Sequence, residues 1–206
     1  MAGSHLYDYL LGATKSPQES LEKAIELAQM IIAMDDGYPS GHALLSCLYP
    51  YKREYDKAIA EGERAIALNP SGANMHAWYG VSLTFACRPE EAITSLKKAI
   101  RLNPFGPSWY FATLGGAYRL AGRFEEAVSA YKKALQRAPN SLLAHLGLAS
   151  AYSLMGREED ARAEVAEVLR INPKFSLDHF AKTGLLYKDQ SENDKIVNAM
   201  RKAGLK

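Results

Sequence analysis

Apolar positions fall at helical spacing along almost the whole chain, and Asn, Gly and Pro interrupt them at regular intervals. Around residue 114 the apolar set is Leu114, Ala117 and Tyr118, one face of a helix. After a short break comes a second face, Ala127, Val128, Tyr131 and Ala134. The break reads "AGR", recurs as "MGR" one unit later, and places Gly122 and Gly156 as C-terminal caps. Asn-Pro pairs then stop the second helix, because proline steers the residue before it away from helical geometry. The pattern predicts helix pairs along a nearly all-helical chain.

The pairs repeat. "REYDKAIAEGERAIALNP", "CRPEEAITSLKKAIRLNP", "GRFEEAVSAYKKALQRAP" and "GREEDARAEVAEVLRINP" align end to end, with closing prolines Pro70, Pro104, Pro139 and Pro173 at steps of 34, 35 and 34 residues. A weaker first copy, "SPQESLEKAIELAQMIIAMDD", has Asp36 in place of the proline. Alanine recurs at one fixed place, as Ala24, Ala58, Ala92, Ala127 and Ala161. Twelve residues before each stands another small residue: Gly12, Ser46, Gly80, Gly115 or Ala149. Small residues on both helices predict a tight antiparallel pair in which they face one another.

This spacing and these residues resemble the tetratricopeptide repeat, a helix-turn-helix unit of 34 residues. The resemblance implies an all-α, right-handed superhelical solenoid of five repeats over residues 5–38, 39–72, 73–106, 108–141 and 142–175, with Pro107 inserted between the third and fourth. The remainder, 176–206, keeps the start of a sixth first helix and then departs from the pattern. Its stretch from Asp194 to Lys202 predicts an amphipathic helix, rich in Lys and Asn, that caps the open end of the solenoid.

Four of the five histidines, His42, His76, His145 and His179, occupy one position, the fourth place of a repeat. Equivalent residues of stacked helices lie roughly 10 Å apart, too far to share a metal whose ligands must sit about 2 Å from it. The residues therefore predict half-buried packing groups and no metal or cofactor. Other chemistry is as thin. Cys47 and Cys87 lack a His-Asp arrangement, and no phosphate loop, GxSxG or HExxH motif occurs. Glu125-Glu126 and Glu158-Glu159 begin second helices, where negative charge meets the positive end of the helix dipole. The expectation is a chain that is not an enzyme.

With 25 Lys and Arg against 23 Asp and Glu, the formal charge is +2 and the basic residues are interspersed with acidic ones, which disfavours a nucleic-acid partner. No run approaches the roughly 18 apolar residues of a membrane span, and two cysteines without a CxxC suit a reducing compartment. These point to a cytoplasmic chain with no membrane insertion.

In the family, the inner wall of the solenoid is built from the first helices. By that resemblance it is lined here by Tyr9 and Leu10; by Leu44, Cys47 and Tyr51; by Asn74, Ala77, Trp78, Val81 and Phe85; by Trp109, Thr113, Gly116 and Arg119; and by Leu143, Leu146, Ser150 and Ser153. The carboxylate clamp of heat-shock co-chaperones is missing, because its Lys and Asn positions hold Tyr9, Ala13, Leu44, Trp109 and Thr113. The groove predicted is aromatic and apolar, with small residues leaving room for a ligand side chain and Arg119 as its cation. It suits an apolar peptide or helix from a protein partner, and Trp78, Phe85, Trp109 and Arg119 are expected to form one patch centred on Trp109. Self-association into a homo-oligomer, with the tryptophans merely packing, is the alternative. The segments "ESLEKAIELAQ", "YDKAIAEGERAIALNP", "RPEEAITSLKKAIRLNP" and "EVLRINPKFSLDHFAKTGLLYKD" are similar to C-terminal repeat segments of bacterial class III nucleotidyl cyclases, which implies a regulatory or interaction segment without the catalytic domain. Pro50 and Gly184 depart from that pattern.

Overall fold

The computed structural model describes residues 17–206, and eleven α-helices follow one another there with no strand among the described residues. They are α1 (Pro17–Met34), α2 (Pro39–Leu48), α3 (Tyr55–Leu68), α4 (Ala73–Phe85), α5 (Pro89–Leu102), α6 (Ser108–Leu120), α7 (Phe124–Arg137), α8 (Leu142–Leu154), α9 (Glu158–Ile171), α10 (Leu177–Thr183) and α11 (Gln190–Lys202). Each first helix packs on its own second helix and on the preceding one. The first helices α2, α4, α6 and α8 also stack on one another, while the second helices α3, α5, α7 and α9 stand further apart. The result is a solenoid with a continuous wall of first helices.

The recurring alanines Ala24, Ala58, Ala92, Ala127 and Ala161 are all fully buried. The nearest neighbours of the first-helix glycines Gly80 and Gly115 are large side chains one turn further along the second helix. A Cβ on Gly80 would lie 2.5 Å from Leu96 Cγ, and one on Gly115 would lie 2.7 Å from the Tyr131 ring. Each glycine is a hole filled by a large side chain of its second helix, so small meets large, which keeps the interior at crystal-like density.

The turns of the pairs α2/α3, α4/α5, α6/α7 and α8/α9 close through a residue in the left-handed region: Arg53 (φ 56°), Cys87 (φ 59°), Gly122 (φ 73°) and Gly156 (φ 74°). The next N–H reaches back five residues, as from Arg88 to the Leu83 carbonyl and from Arg123 to that of Tyr118. This is a Schellman cap, and at positions 53 and 87 the chain makes it without glycine. Pro50 ends α2 early and turns Tyr49–Lys52 into a 3-10 helix. The Ser46 carbonyl, which proline cannot serve, accepts instead from Ser82 Oγ at 2.8 Å.

The largest buried cluster runs from α4 to α9 and includes Leu185, Tyr187, Ile196, Met200 and Leu205 of the C-terminal segment. The capping helix predicted over 194–202 begins earlier, at Gln190, where the Asp189 side chain accepts from the Ser191 N–H. It packs on α8, and the Lys206 carbonyl accepts the N–H of Leu177 at 3.0 Å. The C-terminal segment is part of the core.

Candidate functional site: the wall of first helices

The wall has two different ends. In the first halves of its helices, Trp78 on α4 and Trp109 on α6 stack with ring centroids 4.3 Å apart at 25°. Tyr110 meets Trp109 edge-on at 4.6 Å and donates its hydroxyl hydrogen to Asn74 Oδ1. Both indoles are half-buried, Asn74 is exposed, and Leu143 at the start of α8 is 51% exposed. The stack bridges two regions of the interior: Trp78 lies against the cluster of α1 and α2, and Trp109 against the main cluster. Offset aromatic pairs of this kind gain about 0.5–1.5 kcal/mol beyond their area.

At the ends of the same helices the wall is covered. Residues 184–189 cross it, and Tyr187 inserts there. Its ring lies 5.6 Å from that of Phe85, and its hydroxyl accepts a hydrogen bond from Arg119 Nη2 at 2.8 Å. The crossing backbone is held by hydrogen bonds, most of them to side chains. Lys188 N–H donates to the Phe85 carbonyl at 2.7 Å, the Leu186 carbonyl accepts from Tyr55 Oη at 3.0 Å, and buried Asn193 takes both the N–H and the carbonyl of Tyr187 at 3.1 Å each. Asp189 N–H points at Cys87 Sγ, 3.5 Å away.

Arg119 is therefore only 5% exposed. It does not offer a cation to an open groove, and its neighbours are the Tyr187 and Tyr131 hydroxyls. Burial opposes its charge, and those oxygens more than offset this, so its pKa stays above the ordinary value. Burial pushes the Tyr131 hydroxyl up to about 12. The room predicted beside Gly116 is taken by the same hydroxyls, 3.7 and 3.8 Å from where its Cβ would be.

The expected single patch is thus divided. Trp78 and Trp109 form one unit; Phe85 and Arg119 belong to another, joined by Tyr187, with Tyr51 edge-on to Phe85 at 6.2 Å. Ser150 is buried and bonded to the Gly147 carbonyl at 2.9 Å, and Leu146, Cys47 and Ala77 are buried as well. Tyr9 and Leu10 lie outside the described residues.

The repeated histidines are more than half-buried packing groups. His145 Nε2 donates to the Pro139 carbonyl at 3.0 Å, and its Nδ1 lies 2.6 Å from Glu164 Oε2; His42 is held alike by the Asp36 carbonyl and Glu61. His76 keeps the carbonyl bond, to Pro70 at 2.9 Å, but the residue in the glutamate's place is Ser95, which bonds the His76 carbonyl instead. Burial lowers the His76 pKa. His179, on α10, is exposed. Each buried ring ties its own repeat to the last turn of the one before. Glu126 pairs with Arg123, and Arg157 with Asp160, so the acidic helix starts hold ion pairs as well as meeting the dipole. Burial pushes the Cys47 thiol up to about 12, far from a reactive thiolate. No group of three or more His, Cys, Asp or Glu is placed to hold a metal, and no helix is long and apolar enough to cross a membrane, among the described residues.

Two models described as "Tetratricopeptide repeat" match residues 45–107, 82–141 and 118–178, covering the chain without a gap from 45 to 178. The chain belongs to the tetratricopeptide-repeat family. Solved structures of such proteins share its fold. TTC0263, a thermophilic tetratricopeptide-repeat protein of Thermus thermophilus, is 20% identical with a TM-score of 0.70, covering 96% of this chain and 99% of its own. PilW, a type IV pilus biogenesis factor, is 18% identical with a TM-score of 0.68, covering 97% and 90%. YrrB, described as having an unusual peptide-binding site, is 20% identical with a TM-score of 0.57, covering 87% and 91%. No curated protein matches the sequence significantly. Within the repeat frame, the residue the sequence reading missed is Tyr187. It lies outside the period, and its partner Arg119 is 68 residues away.

Proposed function

We propose that this repeat protein is a non-catalytic interaction scaffold that holds an apolar or aromatic peptide or helix of a partner protein across Trp78, Trp109 and Leu143. The observation that carries this reading is the half-buried tryptophan stack on the one part of the wall that the chain's own C-terminal segment leaves open. Rigid aromatic faces beside polar Asn74 and Thr113 have the make-up of a binding hot spot within a polar rim. The peptide-binding site described for YrrB is in keeping with such a role. The reading places the protein in a reducing, cytoplasmic setting, where the free thiols Cys47 and Cys87 are stable. The likeness to cyclase segments would make the chain a regulatory segment of a nucleotidyl cyclase.

The test is selection of peptides from a random library on the intact chain, followed by titration of its fluorescence. The chain has two tryptophans, so its emission reports on the stack itself. Selected peptides should carry apolar or aromatic residues and shift that emission. Peptides that bind without changing it would place the site elsewhere. Calibrated gel filtration showing a stable oligomer that hides Trp109 would turn the shelf into a self-association surface.

A further inference from the structure

On the face opposite the first-helix wall, the second helices stand apart and leave clefts between them. The cleft between α5 and α7 has a volume of about 530 Å3. Ligand sites typically span about 300–1,000 Å3. Its floor is the outer side of α6, where Phe111, Leu114 and Tyr118 show their edges, and its walls carry Lys97, Arg101 and Lys133 together with Glu126.

The charge pattern comes from the helix sequences. "EEAITSLKKAIR" and "EEAVSAYKKALQR" both run from acidic starts to basic ends, in the sense the helix dipole favours. The acidic starts are occupied: Glu91 pairs with Arg88 and Glu126 with Arg123. At the basic ends, Arg101 and Lys133 have no ion-pair partner among the described residues. Lys97 leans on the Tyr118 ring, 5.6 Å from its centroid. At one mouth of the cleft, Arg137 stacks over Phe111 at 4.2 Å and holds the Pro104 carbonyl at 2.7 Å. The equivalent cleft one repeat earlier, between α3 and α5, is smaller, about 430 Å3, and sets Glu90 and Glu91 against Lys98 over His76 and Tyr79. The α5/α7 cleft sets three cations against one acid, Glu126, which is paired with Arg123, so a net positive charge lies over its aromatic floor.

We propose that this cleft is a second docking site, for an acidic segment of a partner protein that lays one bulky apolar side chain on the floor and flanking Asp or Glu on the rim. A flat anionic membrane would meet the lysines but not the floor, which lies below both rims, so the geometry favours a peptide.

The test uses the full chain and two fluorescein-labelled synthetic peptides, Asp-Glu-Asp-Phe-Asp-Glu-Asp and the same sequence with Ala for Phe, together with phosphatidylcholine vesicles containing one-third phosphatidylserine. The Phe peptide should bind about tenfold or more tighter than the Ala peptide. It should lose about tenfold or more on Lys97→Glu/Lys133→Glu and on Ser129→Trp, which fills the cleft from an exposed wall position, and be unaffected by Trp109→Ala. Circular dichroism confirms that each variant is folded. Equal binding of the two peptides, no binding of either, or sedimentation with vesicles in place of peptide binding would each overturn the proposal.

Discussion

The two ends of the first-helix wall are made of the same helices and differ in what covers them. Where the helices end, Tyr187 and its neighbours are woven into the main core, and the backbone of residues 186–188 is hydrogen-bonded at every step. Where they start, two indoles stack on each other and stop half-buried. The contrast teaches that a repeat position does not by itself make a binding residue. Phe85 and Arg119 stand at groove positions as surely as Trp78 and Trp109 do, but the chain's own segment is already there.

The comparison breaks most sharply at Tyr187. Tyr187→Ala should cost about 3–5 kcal/mol in urea unfolding, the range for removing a large buried aromatic, and it also takes from Arg119 one of its two hydroxyl neighbours. A loss under about 1 kcal/mol would mean the segment is a loose strap and the closed end is not closed. Asn193→Ala should cost about 1–3 kcal/mol, because both backbone groups of Tyr187 lose their partner in a buried place. Hydrogen exchange at the Tyr187 amide reads the same event locally.

The closed end also has a pH signature. Burial raises the Tyr131 pKa from 10.0 to about 12, so the folded protein keeps a proton that the unfolded chain gives up. The unfolded state then binds fewer protons, and stability, fully present below pH 10, should fall as pH rises from 10 toward 12. Tyr131→Phe should flatten that slope in urea unfolding at stepped pH. His76 acts in the opposite range. Its lowered pKa gives stability present above the ordinary value of 6.5 and lost as pH falls below it.

The smallest expected effect separates strain from contact. Arg53 and Cys87 both take the left-handed conformation that costs an L-residue roughly 1–2 kcal/mol. Arg53→Gly should therefore stabilise by about 1 kcal/mol after the greater freedom of unfolded glycine is subtracted. Cys87→Gly should gain less, because it also removes the sulfur facing Asp189 N–H. Equal gains in thermal melts would show that this contact adds nothing to the hold on the segment.

Much of this was legible in the sequence, because a repeat states each structural requirement several times. The buried alanines, the caps at Gly122 and Gly156 and the helix pairs all follow from residues recurring at one step. The tryptophans, on neighbouring first helices, follow from the same register. What recurs with variation was harder to read. The glutamate nineteen residues after His42 and His145 is a serine after His76, so the clasp shows only when both helices are seen together. What occurs once was not legible: nothing in "GLLYKD" announces that its tyrosine lies against Phe85 and Arg119, since that contact joins segments with no common period.

The central claim is that the start of the wall is open for a partner while its end is structural, and Trp109→Ala tests it most directly when stability and binding are measured on the same preparation. The account predicts a stability loss well below that of Tyr187→Ala, about 1–2 kcal/mol for a half-buried stacked ring, together with a loss of about 2 kcal/mol or more in affinity for library-selected peptides. A loss of about 3–5 kcal/mol in stability with peptide affinity unchanged in the folded variant would contradict it and make the tryptophans part of the core.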